Sequence, residues 1–179
     1  MKTLTLLRHA KSSWDDPVAR DIDRPLNGRG RRGARAVGQA MRSAHLHFDR
    51  VVASTAARVV ETIEQVEDGY GGALRAQFDE RLYLASVDAL LAAVRATDDK
   101  VSNLLLVGHN PGLERFALFL TSADDGRLRQ SIAQKYPTGA LAEISLPIDR
   151  WKDATAGIGR LVRFVRPRDL DPKLGPDGS

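Results

Sequence analysis

Thr3-Leu4-Thr5-Leu6-Leu7-Arg8-His9-Ala10 is a β-branched and apolar run that ends, with no spacer, in an arginine and a histidine. Such a run reads as a buried strand delivering two polar side chains to its carboxyl end. In open α/β sheets the loops leaving that end form the crevice where ligands sit. An Arg-His pair there points to a cationic pocket with a nucleophile or base in it; a basic residue kept at a strand end for solubility is the plain alternative. Two further stretches repeat the arrangement. Asn103-Leu104-Leu105-Leu106-Val107-Gly108-His109-Asn110-Pro111-Gly112 is another apolar run ending in histidine, followed by a Pro-Gly turn and the amphipathic pattern Leu113, Phe116, Ala117, Leu120. Val51-Val52-Ala53-Ser54 is a third, and Ala57-Arg58-Val59-Val60-Glu61-Thr62 after it places Arg58 at the start of a helix. If these strands are neighbours, two histidines and two arginines converge at helix N-termini, a geometry suited to a phosphoryl group.

Outward from these runs the chain alternates strand and helix. Lys11-Ser12-Ser13-Trp14-Asp15-Asp16-Pro17 is a polar loop that rims the pocket. Pro25 and Asn27, a plausible N-cap, prepare a helix over residues 29–44 with a small and apolar stripe at Gly33, Val37, Ala40 or Met41, and Ala44. Its other face carries Arg29, Arg31, Arg32 and Arg35, which oppose the helix dipole and read either as a solvated face or as a surface for an acidic partner. Residues 48–54 form a strand and 55–68 mostly a helix with Val59, Val60, Ile63 and Val66 on one face, ended by Gly69-Tyr70-Gly71-Gly72. A short strand at 75–78 leads into Asp79-Glu80-Arg81-Leu82-Tyr83, and the pattern Val87, Leu90, Leu91, Val94 predicts a further helix. Residues 122–134 are polar and read as loop or weak helix. Residues 140–146 and 159–165 are strands joined by a link too short for a crossover helix, hence an antiparallel pair at a sheet edge. The pattern predicts an α/β three-layer sandwich in which a mostly parallel mixed sheet is flanked by helices on both faces. It leaves the strand order open.

With 179 residues and 42% hydrophobic content, the chain builds one full core. We therefore expect a single domain over residues 1–168 and a disordered tail over 169–179, rich in Pro, Gly and charge. The 27 Lys and Arg against 23 Asp and Glu leave a net charge of +4, which favours anionic ligands but falls short of a nucleic-acid arm. The absence of cysteine excludes disulfides, thiolate catalysis and zinc fingers and fits a reducing compartment. Met1-Lys2 leads straight into the first strand, and no apolar run has membrane-spanning length, so the expectation is a soluble cytoplasmic protein with no membrane partner. His45 and His47 form a His-x-His, but no third ligand accompanies them, so surface histidines are the reading and no metal is assigned.

Arg8-His9, Ser54-x-x-x-Arg58-x-x-Glu61-Thr62 and Gly108-His109-Asn110-Pro111-Gly112, in this order and each at a strand end, resemble the histidine phosphatase superfamily, also called phosphoglycerate mutase-like. More closely, Leu7-Arg8-His9-Ala10-Lys11-Ser12, Arg24-Pro25-Leu26 and Val107-Gly108-His109-Asn110-Pro111-Gly112 look like its small SixA-type phosphohistidine phosphatase branch. The match spans residues 3 to 120. Ala10 stands where the superfamily usually has glycine. The resemblance implies that His9 is the nucleophile that becomes phosphorylated and that Arg8, Arg58 and His109 hold the phosphoryl oxygens. Physical reasoning agrees: two guanidinium forks and an imidazolium match the charge of a phosphoryl in transit, and nearby cations keep His9 unprotonated. No metal or other cofactor is then needed. Glu80-Arg81-Leu82-Tyr83 looks like the Glu-Arg-x-Tyr segment that carries the general acid of the mutase branch, which makes Glu80 the candidate acid; a structural carboxylate paired with Arg81 or a pocket arginine is the alternative. Ser12 aligns with site-lining polar residues and is a candidate phosphate ligand.

The preferred activity is hydrolysis of phosphohistidine in proteins, releasing inorganic phosphate, because between Gly72 and Asn103 there is room for a strand and a helix but no lid. An open pocket admits a protruding side chain. The same residues would serve a phosphatase of small phosphomonoesters or nucleotides; a mutase would call for a closing lid. A phosphate-binding module without turnover would have lost the nucleophile or a pocket arginine, and both are present.

Overall fold

The computed structural model describes residues 1–17, 20–124 and 126–175. Six strands form one sheet: β1 (Lys2–Arg8), β2 (Arg50–Ala53), β3 (Gln77–Phe78), β4 (Asn103–Gly108), β5 (Leu141–Leu146) and β6 (Arg160–Val165), in the order β3-β2-β4-β1-β5-β6. The first four run parallel, and β5 lies antiparallel to both β1 and β6, so the expected antiparallel pair does form one edge. The register decides where the polar side chains go. Arg8 lies opposite Gly108 and Ala53 opposite Val107. His9, His109 and Ser54, each one residue past its strand, therefore end on one line at the carboxyl edge of three adjacent strands. Backbone bonds hold that line: His9 N–H donates to Gly108 O at 3.0 Å and Ser54 N–H to Val107 O at 3.0 Å.

Because strand side chains alternate between faces, β1 and β4 feed two cores. Leu4, Leu6, Leu104 and Leu106 pack with α3 (Val87–Arg95), α4 (Gly112–Leu120) and α5 (Gly126–Gln134), together with Tyr136 and Trp151. Leu7, Leu105, Val107, Val51 and Ala53 pack with α1 (Gly28–Ser43) and α2 (Ala57–Tyr70). The result is the three-layer α/β sandwich. Burial of the leucines at the sheet centre stabilises it by about 1.5 to 3 kcal/mol for each side chain.

The basic face of α1 finds its partners on α2. Arg35 donates to Asp68 at 2.7 Å and to Gln65 at 2.8 Å, and Arg31 lies 3.6 Å from Glu61. Asn27 caps α1, its side chain accepting from Gly30 N–H at 2.8 Å. Two expectations change. Residues 126–134 form a regular helix, anchored by the fully buried Ile132 although the rest of the segment is polar. The start of the expected tail is also structured: α6 (Pro167–Leu170) and a 3₁₀ turn at Pro172–Leu174 fold back, with Pro167 and Leu174 buried and Asp169 accepting from Arg166 at 2.8 Å. The remainder of that tail, residues 176–179, lies outside the described residues. No helix among the described residues is long and apolar enough to cross a membrane.

Candidate active site

His9 leaves β1 at the sheet's carboxyl edge and is 6% exposed. Its Nδ1 lies 2.7 Å from Ala10 O, a carbonyl that can only accept, so the ring proton sits on Nδ1 and Nε2 is left with a free lone pair. Burial, followed by the charges of Arg8 and Arg58 and the neighbouring His109, holds its pKa well below the ordinary value. The loop behind it is pinned twice. Ala10 N–H donates to Thr62 Oγ1 at 2.9 Å, and Thr62 Oγ1 donates to Arg58 O at 2.6 Å. Asn27 N–H donates to Lys11 O, and a Cβ on Gly30 would stand 2.0 Å from that same oxygen, so only glycine lets the first turn of α1 come this close.

Arg8, Arg58 and His109 converge on the same spot. Arg8 Nη1 donates to Tyr136 O at 3.0 Å; Asn110 Nδ2 donates to that carbonyl at 2.9 Å, and the buried Tyr136 hydroxyl is tied to Leu6 O at 2.6 Å. Arg58, in the first turn of α2, donates from Nη1 to Asp21 O at 2.7 Å and from Nη2 to Asp21 Oδ2 at 3.0 Å and His109 Nδ1 at 3.3 Å. A guanidinium only donates, so His109 Nδ1 accepts, and its Nε2–H donates to Ser54 Oγ at 2.7 Å. That arrangement is a neutral imidazole. The expectation of an imidazolium at this position is therefore corrected: burial and the charge of Arg58 lower the His109 pKa to about 4, with Asp21 opposing. The His9 and His109 ring centres are 5.4 Å apart. The Nε atoms of Arg8 and Arg58 are buried without a hydrogen-bond partner among the described residues, as are those of Arg50 and Arg129.

The carboxylate that completes the site is Asp21, which the sequence reading did not single out. It accepts from Arg58, from Arg24 Nε and Nη2 at 3.2 Å each, and from the Tyr83 hydroxyl. Burial pushes its pKa up, but the hydrogen bonds from Tyr83 and Arg58, the Arg58 charge and the bond from Arg24 together hold it at about 2. Its signal in the sequence was the spacing Asp21-x-x-Arg24, an acid and a base three residues apart just before Pro25. Arg24 in turn donates to Ser12 Oγ at 2.5 Å and lies 3.5 Å from the exposed ring of Trp14. Ser12 thus reaches the site, its hydroxyl engaged by Arg24. Glu80 does not reach it. Glu80 is exposed in a 3₁₀ turn (Glu80–Leu82) past β3, and Arg81 pairs with Asp79 at 2.7 Å instead. What that turn sends inward is Tyr83, whose ring meets His109 edge-on at 5.3 Å. Close approach of Gly112 to Ala85 O, 2.0 Å for a Cβ, seats this segment on α4.

Arg8, His9, Lys11, Ser12, Asp21, Arg24, Arg58 and His109 line a single open cavity of about 360 Å³, with Trp14 and Leu84 at its mouth. A family model described as the histidine phosphatase superfamily (branch 1) matches residues 4–83. A solved structure assigned as the phosphohistidine phosphatase SixA of Nakamurella multipartitia is 31% identical, with a TM-score of 0.77 over 93% of this chain and 96% of that one. The chain belongs to the histidine phosphatase superfamily, in its SixA-type branch. A SixA assigned in the same way from Agrobacterium tumefaciens is 28% identical, with a TM-score of 0.76 over 93% of this chain and 98% of that one. An uncharacterised protein of Mycobacterium tuberculosis is 35% identical over 164 residues, 90% of this chain and the whole of the relative. As in that superfamily, the chain is a phosphatase with a histidine nucleophile. Among the described residues, His45, His47 and the acids form no group of three or more that could hold a metal ion.

Proposed function

We propose that this phosphatase hydrolyses phosphohistidine in proteins, through a phosphorylated His9 and without a metal ion. One observation carries the choice of leaving group. Among the described residues, the carboxylate lining the cavity is Asp21, and at a pKa of about 2 it is ionised at neutral pH and has no proton to give. An alkoxide leaves with difficulty unless an acid protonates it, whereas an imidazole leaves readily and takes its proton from solvent. The site suits the second.

In the first step the lone pair on His9 Nε2 forms a bond to phosphorus as the substrate's P–N bond breaks. Arg8 and Arg58 carry the equatorial oxygens, and His109, which lines the same cavity, stands beside them with its Nδ1 against Arg58. A bound dianion raises the His109 pKa from its low resting value, so that ring takes up a proton when it is useful as a donor. In the second step water attacks phosphorus, the Nε2–P bond breaks, and inorganic phosphate departs with the water's proton lost to solvent.

The test is a comparison of a histidine-phosphorylated peptide, a phosphoserine peptide, sugar phosphates and an activated aryl phosphate. Rapid quench should trap an acid-labile phosphoenzyme in the wild type and none in His9→Ala. Faster turnover of sugar phosphates than of phosphohistidine would move the assignment to a small-molecule phosphatase, and a phosphoenzyme in His9→Ala would remove the nucleophile.

A further inference from the structure

Several arginines of the described chain are matched by acids: Arg31 by Glu61, Arg35 by Asp68, Arg163 by Glu143 and Arg166 by Asp169. Two lysines at and beside the cavity are not. Lys11 lines the cavity wall next to the nucleophile and lies within electrostatic reach of Arg29 on α1, Arg8, and Lys135 just beyond α5. Partial burial and then the repulsion of those three cations lower the Lys11 pKa. The acid that acts on this cluster is Glu114, and it acts on Arg8. Neither Lys11 nor Lys135 has a carboxylate within ion-pair distance among the described residues. Lys135 is exposed and lies outside the cavity, on the loop that carries Thr138, which lines both the cavity and the neighbouring cleft holding Lys135. Positive charge thus continues past the point where a phosphoryl group ends.

Crowded like charges cost stability unless an anion sits among them. The phosphoryl group is already held by Arg8, Arg58 and His109, so the second anion belongs to the remainder of the substrate. Its partner surface also meets Trp14 and Leu84, exposed apolar side chains at the mouth, which suit a protein face better than a small polyanion. We propose that Lys11 and Lys135 dock an acidic segment of the substrate protein that adjoins its phosphorylated residue. This rests on the phosphatase reading of the cavity and names its substrates as acidic around the phosphorylated site.

Two histidine-phosphorylated peptides, one flanked by aspartates and one by asparagines, test the proposal, with kcat/KM for each divided by that for an aryl phosphate in the same variant. Exposed ion pairs are typically worth a few-fold each, so two give a preference for the aspartate peptide of about tenfold at low salt. The preference should fade at high salt and vanish in Lys135→Glu. A second arm uses the unphosphorylated aspartate peptide as an inhibitor of aryl phosphate turnover, which should weaken in Lys135→Glu. Equal turnover of the two peptides, or a preference that survives Lys135→Glu, overturns the flank. If neither phosphopeptide is turned over, the phosphohistidine assignment falls and the inhibition arm decides the flank alone: inhibition lost in Lys135→Glu supports it, and its absence refutes it.

Discussion

Thr62→Val removes one hydroxyl without changing the shape of the side chain. Thr62 is fully buried, and its Oγ1 makes two bonds of unequal weight. The bond to Arg58 O duplicates a helical interaction within α2, so its loss costs little. The bond from Ala10 N–H is different, because valine leaves that buried donor with no acceptor. An unsatisfied buried N–H costs about 1–3 kcal/mol. For a chain of this size each kcal/mol moves the melting temperature by roughly 2–4 °C, so the variant should melt about 2–12 °C lower. Ala10 also supplies the carbonyl that orients His9, and displacement of a nucleophile by a fraction of an ångström lowers kcat by roughly tenfold or more. The assays are thermal unfolding followed by circular dichroism and steady-state turnover of an aryl phosphate, with Thr62→Ser as the control that keeps the oxygen. Serine should retain kcat within a few-fold. A Thr62→Val protein with wild-type melting temperature and kcat would show that the loop behind His9 is held by something else.

Arg58→Ala should lower kcat/KM by ~10² or more, the loss expected for one preorganised donor to transition-state charge, and Arg58→Lys should rescue little because one ammonium nitrogen cannot stand in for both Nη1, on Asp21 O, and Nη2, on Asp21 Oδ2 and His109. Stability should be flat above pH 7 and fall as pH drops from about 6.5, where an unfolded histidine protonates, towards the folded His109 value of about 4. The unfolded chain binds the extra protons in that window, which fixes the sign; His9, lowered by burial in the same direction, shares this limb, so His109→Gln should make it shallower and the double variant with His9→Ala should flatten it in urea titrations at each pH. Glu80→Gln should leave turnover of phosphohistidine and of an aryl phosphate within about twofold, since Glu80 is exposed outside the cavity; a large loss confined to alkyl phosphates would return it to the role of acid.

The sequence was most legible where hydrophobic runs end in chemistry. Arg8, His9, Arg58 and His109 could be picked out because each stands at the edge of a strongly patterned element, and parallel strands carry such residues to one side of the sheet. What could not be read was anything set by distant partners. The insertion of β4 between β1 and β2 depends on crossovers that leave no local mark. Asp21 lies in a 3₁₀ turn (Asp21–Asp23) with no apolar period, and its importance comes from Arg58 and Tyr83, 37 and 62 residues away. Glu80 drew attention through its neighbours in the chain, yet the turn that holds it delivers Tyr83 to the site. Helix α5 could be read only as loop or weak helix because its one deeply buried contact, Ile132, is too little for periodicity to register.

The carbonyl of Ala10 has a regiochemical consequence. With Nδ1 occupied by its proton, His9 offers phosphorus a single nitrogen, so the proposed covalent intermediate should be the Nε2-phosphoryl isomer and not the Nδ1 isomer. Phosphorus–nitrogen coupling in an isotope-labelled phosphoenzyme distinguishes the two, and the same bond to Ala10 then keeps the phosphorylated ring from turning away from the incoming water.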